Sequence, residues 1–134
     1  MSNEIRDKRI FTERNSSGTS GVANTTNATV TTIETIPIPT STVLIINSEI
    51  LARVTGGSNG YTGQGCLYSR AQAFRNIAGV VTAIGTISAV SKEDIALALY
   101  DVIFTISGTN VLIQVNSQAN DNTTWKSTTK VNIV

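Results

Sequence analysis

The sequence predicts an all-β protein, an antiparallel β-sandwich or small jelly roll of about seven strands with an extended N-terminal arm. Three observations carry that prediction. The stretch 99–118, LYDVIFTISGTNVLIQVNSQ, reads as a β-hairpin. Short alternating runs recur along the chain with turn residues between them. No strand–helix–strand rhythm occurs, which argues against a parallel-sheet fold.

In the hairpin, Tyr100, Val102, Phe104 and Ile106 share one parity, and Val111, Ile113 and Val115 share one in the second run. Side chains alternate faces along a strand, so each run presents one apolar face. Between the runs lies Ser107-Gly108-Thr109-Asn110, where Gly and Asn tolerate the positive φ of a tight reversal. A lone hairpin is marginally stable, so further strands must cover it.

Two segments are expected: residues 1–27 as arm and linker, and 28–134 as the sandwich domain. Charges crowd the first half of the arm-and-linker segment, where Ile5, Ile10 and Phe11 are the only large apolar residues apart from Met1. Asn15 to Asn27, NSSGTSGVANTTN, has the composition of a linker. The plain reading is a frayed tail; the functional one is an anchor that orders on binding.

Ala28 to Ile36 reads as the first strand of the domain, ended by Pro37-Ile38-Pro39 because proline cannot donate to a ladder. Thr42 to Thr55 reads as a long half-buried strand. Leu44, Ile46, Ile50, Ala52 and Val54 take one parity, Asn47, Glu49, Arg53 and Thr55 the other, and Ser48 marks a candidate bulge. Gly56 to Gly65 is a glycine-rich loop. Gly65 to Ile77 is expected to return with Leu67, Ala71, Ala73 and Ile77 inward, and Arg70, Gln72 and Asn76 outward with Phe74 among them. Val80 to Val90 follows, bent at Gly85. Ser91 with Asp94 resembles a capping box that opens a short helical turn. The last strand, Thr123 to Val134, sets Trp125, Val131 and Ile133 against Lys126, Lys130 and Asn132.

The 134 residues suit one domain. Only 14% are charged and the net charge is +1, which argues for no strong field and against nucleic acid as a partner. No apolar run approaches the ~20 residues of a membrane span, so no membrane role is expected. The N-terminus lacks the apolar region of a secretory signal. Cys66 is the one cysteine, so no intrachain disulfide can form. Folding in a reducing cytosol is the natural reading.

The chain has no histidine, which removes the commonest general base and metal ligand. A zinc site and a Ser-His-Asp arrangement are thereby set aside, and no metal or cofactor is expected. Glu34, Glu49, Glu93, Asp94, Asp101 and Asp121 lie in no recognisable catalytic pattern. A glycan hydrolase built on two of them is therefore a remote alternative, and no enzymatic role is expected. The loop 56–65 leads into Cys66 and a strand, not into Lys-Ser and a helix, so it is no phosphate loop. Tyr61 at its tip is a candidate for stacking on a sugar or partner. Trp125 reads first as a core anchor and second as a sugar-stacking platform. Asp121, with Asn120 and Asn122, reads as a turn before it reads as a calcium site.

The strand phrases IPIPTSTVLIINSEILARVTGGSNG, AFRNIAGVVTAIGTI and FTISGTNVLIQVNSQANDNTTWKSTTKVNIV resemble a β-domain of tailed-bacteriophage structural proteins. The shared phrases are arginine ahead of a double glycine, Asn-x-x-Gly, Ser-Gly-Thr-Asn-Val and a late Asn-x-Thr-Trp. The likeness spans 28–134 and includes no catalytic motif. It implies a sandwich, often a homotrimer, made in the host cytoplasm and used in the virion for assembly or attachment. With no shaft repeat beside the arm, the leading expectation is a non-enzymatic capsid decoration or cement protein. Ile5, Ile10 and Phe11 would supply its apolar anchor contacts, and Arg6, Lys8, Arg9 and Arg14 its polar ones, toward other virion proteins of capsid or tail. The alternative is a receptor- or carbohydrate-binding module of a head or tail fibre, with Tyr61 and Trp125 facing a host glycan.

Overall fold

A computed structural model describes residues 16–134. The arm residues Ile5, Arg6, Lys8, Arg9, Ile10, Phe11 and Arg14 lie outside them. Eight strands follow in order: β1 (Ser16–Thr26), β2 (Thr31–Pro37), β3 (Thr42–Gly57), β4 (Gly65–Ile77), β5 (Val80–Glu93), β6 (Asp101–Ser107), β7 (Asn110–Asn116) and β8 (Asp121–Ile133). They form two antiparallel sheets, β1-β8-β3-β4-β5 and β2-β7-β6. All-β architecture with a sandwich arrangement is therefore the fold, as expected.

The core lies between the sheets. Leu44, Ile46, Ile50 and Val54 of β3, Tyr68 and Phe74 of β4, and Trp125 of β8 meet Ile36, Val102, Val111, Ile113 and Val115 of the smaller sheet. Burying each of the larger side chains contributes on the order of 1.5–3 kcal/mol. The β6–β7 hairpin turns where expected, with Ser107 opposite Asn110 and Gly108 at φ 60°. Three strands cannot cover five, so most of edge strand β5 is exposed on both faces. Gly85 does mark a bend there: its φ is 70° and the β4–β5 register shifts beside it.

Four local expectations fail. The tract read as linker supplies β1, which pairs with β8 along residues 16–26. Its Ser, Thr and Gly residues suit a strand whose inward positions are narrow. Gly21 lies against the Ile33 carbonyl, Ala23 is buried, and Thr25 accepts a hydrogen bond from Trp125 Nε1 at 2.9 Å.

In β4 the predicted faces are reversed. Cys66, Tyr68, Arg70, Gln72, Phe74 and Asn76 are buried, while Leu67, Ala71 and Ala73 lie on the outer side and Ile77 is exposed. Two aromatic rings outweigh the smaller apolar set, and the polar members find backbone acceptors. Arg70 Nε donates to Val102 O (3.0 Å) and Nη1 to Val90 O (2.9 Å), tying β4 to β6 and β5. Gln72 Nε2 donates to Ile84 O (2.8 Å) and Asn76 Nδ2 to Ile38 O (2.7 Å). Satisfied in this way, buried polar groups are tolerated.

Ser48 marks no bulge. It keeps register with Arg70 and Thr129 and hydrogen-bonds Thr129 Oγ1 at 2.8 Å; the β3–β8 register shifts instead between Val54 and Gly56. The Ser91–Asp94 capping box does not form. β5 runs on to Glu93, only a short 3₁₀ turn follows at Ile95–Leu97, and Asp94 makes no side-chain cap.

Candidate functional site

Alternation on the five-stranded sheet sends one set of side chains into the core and the other outward. The outward set shows a segregation of charge that the net +1 conceals. Arg53 of β3, Arg75 of β4, Lys92 of β5, and Lys126 and Lys130 of β8 all stand on this outer face. They are five of the six cations among the described residues; the sixth, Arg70, is buried. Glu49 is the one acid on the face. The other described acids are turned elsewhere. Glu34 and Asp121 are buried, Glu93 accepts from Tyr68 OH, Asp94 accepts from Gly65 N, and Asp101 pairs with Arg70 at 3.4 Å.

A groove of about 450 Å³ crosses this face. The register aligns Gly18, Lys130, Asn47, Ala71 and Ser88 in one row, and Ser20, Thr128, Glu49, Ser69 and Val90 in the next. Glycine, alanine and serine leave the floor low. The next row sets Val22, Lys126, Leu51, Leu67 and Lys92 side by side. Among the described residues, the side chains of Asn47, Glu49, Ser69, Ser88, Thr128 and Lys130 make no hydrogen bond or ion pair. The inward polar groups are bonded instead. Glu34 accepts from Thr19 of β1 and, at 2.5 Å each, from Ser127 and Thr129 of β8.

The sequence-predicted ligand residues are not brought together. Trp125 is fully buried, stacked on Tyr68 at 6.1 Å between ring centroids and tilted against Tyr100 at 5.6 Å. It is a core anchor and cannot act as a sugar platform. Tyr61 lies in the β3–β4 loop, partly buried against the core. Asp121 follows the turn residue Asn120 (φ 68°), and its carboxylate accepts from Asn59 Nδ2 (3.0 Å) and Tyr100 OH (2.9 Å). Buried and bonded in this way, Asp121 ties the turn to the core. Among the described residues no cluster of three or more Cys, Asp or Glu could hold a metal ion, and no helix is long and apolar enough to cross a membrane.

Burial sets the titration of three inner groups. Desolvation raises the Cys66 thiol from 9.0 to about 11, with Glu93 and Asp94 adding to the rise. Desolvation also pushes the Tyr68 and Tyr100 phenols well up, and both donate to carboxylates, Glu93 and Asp121. These groups stay neutral and serve the core.

No family model matches the chain, and no curated protein matches it. Among solved structures, the fold is similar to part of the tailspike of Acinetobacter baumannii phage AM24. The TM-score is 0.57 and the identity 9%, over 91% of this chain and 27% of the tailspike. A tailspike of Acinetobacter baumannii bacteriophage Fri1, described as a capsular polysaccharide depolymerase, is similar at TM-score 0.37 and 10% identity, over 90% of this chain and 20% of that one. The chain thus spans about a quarter of the length of these tailspikes, and the likeness is one of fold. These findings overturn the expectation of a protein outside the enzymes, which rested on the missing histidine and the scattered carboxylates. The neighbour in fold, at TM-score 0.57, is a phage tailspike.

Proposed function

We propose that the chain is a virion domain of a tailed bacteriophage that works at the tail, as an attachment or assembly module. The supporting observation is that nine-tenths of the chain follows the fold of a segment of a phage tailspike. That favours the tail reading over capsid decoration, since the neighbours are tail proteins. In this reading the sandwich is a rigid body, and its basic outer face looks toward a partner. Residues 1–15, with Ile5, Ile10 and Phe11 as apolar contacts and Arg6, Lys8, Arg9 and Arg14 as polar ones, join the domain to other virion proteins. Association into a homotrimer would cover exposed strand edges such as β5.

Gold-labelled antibody against the chain, applied to purified particles, tests the reading. Label at the tail is expected; label confined to the head would overturn it. A variant lacking residues 2–14 is expected to fold with an unchanged β-sheet spectrum and to be missing from particles.

A further inference from the structure

The geometry points to a carboxylate-bearing polysaccharide as the ligand of the groove on the outer face of the five-stranded sheet. The assignment rests on the attachment reading and names the partner of that surface. Charge gives the first argument. Five cations and one acid share the face, and no cation on it is paired among the described residues, where the one ion pair is Arg70–Asp101. Such a face raises the local concentration of an anion and speeds its approach.

Hydrogen-bonding capacity gives the second. Asn47, Ser69, Ser88, Thr128, Glu49 and Lys130 line the concavity from four adjacent strands. Strands stand about 4.8 Å apart, so a chain laid across the sheet meets a new hydrogen-bonding group at every strand. Glu49 and Asn47 supply acceptors, Asn47 and Lys130 donors, and the hydroxyls both. That mixture fits a polymer of hydroxyls with occasional carboxylates. A single-stranded nucleic acid would want aromatic platforms for its bases, and the groove has none. A protein would want a large buried anchor at the centre, where this floor is Ala71, Ser69 and Gly18. Affinity per site is expected to be modest, with avidity coming from several copies on one particle.

The test uses the full chain with four immobilised polymers: polygalacturonate, neutral dextran, polyglutamate and single-stranded DNA. At low salt, polygalacturonate is expected to bind more tightly than the other three, and to weaken severalfold when salt shortens the screening length. The triple variant K92A/K126A/K130A should bind it about tenfold less well. The double variant N47A/T128A keeps every charge; it should weaken polygalacturonate severalfold and leave DNA and polyglutamate unchanged. All positions changed are exposed, so melting temperatures should match the parent. No binding to polygalacturonate, equal binding to all three anions, or an N47A/T128A variant that binds like the parent would each overturn the assignment. Tail labelling of particles is scored separately, so failure here leaves that result standing.

Discussion

Gly21 of β1 and Ile33 of β2 meet backbone to backbone: a Cβ placed on Gly21 would stand 2.4 Å from the Ile33 carbonyl oxygen and 2.9 Å from Glu34 Cγ. This contact closes one side of the sandwich. A carbonyl held in a strand cannot swing away, so Gly21→Ala must push β1 off β2. The expected cost is about 1–3 kcal/mol, seen as a drop of several degrees in Tm. Gly18 in the same strand is the control. A Cβ there would meet only Thr129 O at 3.9 Å, and Gly18→Ala should change stability by less than about 0.5 kcal/mol.

The same side depends on Glu34. A buried carboxylate is costly unless its oxygens are bonded, and here Thr19, Ser127 and Thr129 supply three hydroxyls. Glu34→Ala would strand those donors as well as remove the carboxylate, at a cost of about 1–3 kcal/mol. Glu34→Gln keeps one acceptor oxygen and the shape of the side chain, so it should lose less. Urea midpoints of the two variants check the order. A Gln variant less stable than the Ala variant would contradict this account.

Much of the fold was legible because alternation is a strong signal. β3, β8 and the β6–β7 hairpin showed it plainly. β1 was hidden by composition: eleven Ser, Thr, Gly, Ala, Asn and Val residues look like linker until β8 and β2 are known to flank them. β4 failed because its inward row holds Arg70, Gln72 and Asn76. Their acceptors, Val102 O, Ile84 O and Ile38 O, come from elsewhere in the chain. The basic face was half visible. Arg53 on one parity of β3, and Lys126 and Lys130 on one parity of β8, could be read strand by strand. That β8 lies between β1 and β3, with β4 and β5 beyond, is a long-range fact. It alone gathers those cations onto one surface.

Alkaline pH should unfold the protein through its buried acids. Cys66, raised from 9.0 to about 11 by desolvation, and Tyr68 and Tyr100, raised by the same cause, are neutral in the fold and ionise more readily in the unfolded chain. A raised folded value means the stabilisation is complete below the unfolded values. It is lost as pH climbs above them toward the folded ones. Stability should therefore hold up to about pH 8 and decline from pH 9 upward. Urea midpoints across that range, with tyrosinate absorbance followed in parallel, provide the measurement. Phenolate from Tyr68 or Tyr100 appearing before unfolding, read in a Tyr61→Phe background, would contradict the prediction. Cys66 should also resist a thiol reagent at pH 8 until denaturant is added.

Trp125 and Tyr61 should separate cleanly in mutagenesis. Trp125 is fully buried between Tyr68 and Tyr100, and its Nε1 donates to Thr25 Oγ1, which also bonds Ser117. Trp125→Ala would open a large cavity and leave that hydroxyl pair short of a donor, at about 3–5 kcal/mol. The native protein should fluoresce with the short-wavelength maximum of a dry indole, shifting red on unfolding. Any loss of binding in Trp125→Ala would then follow from lost structure. Tyr61 is only partly buried in the loop between β3 and β4, so Tyr61→Ala should cost about 1 kcal/mol or less. A folded Tyr61→Ala protein with weakened cell attachment would place the loop tip at the contact. Unchanged attachment would leave the basic sheet face as the surface that meets the partner.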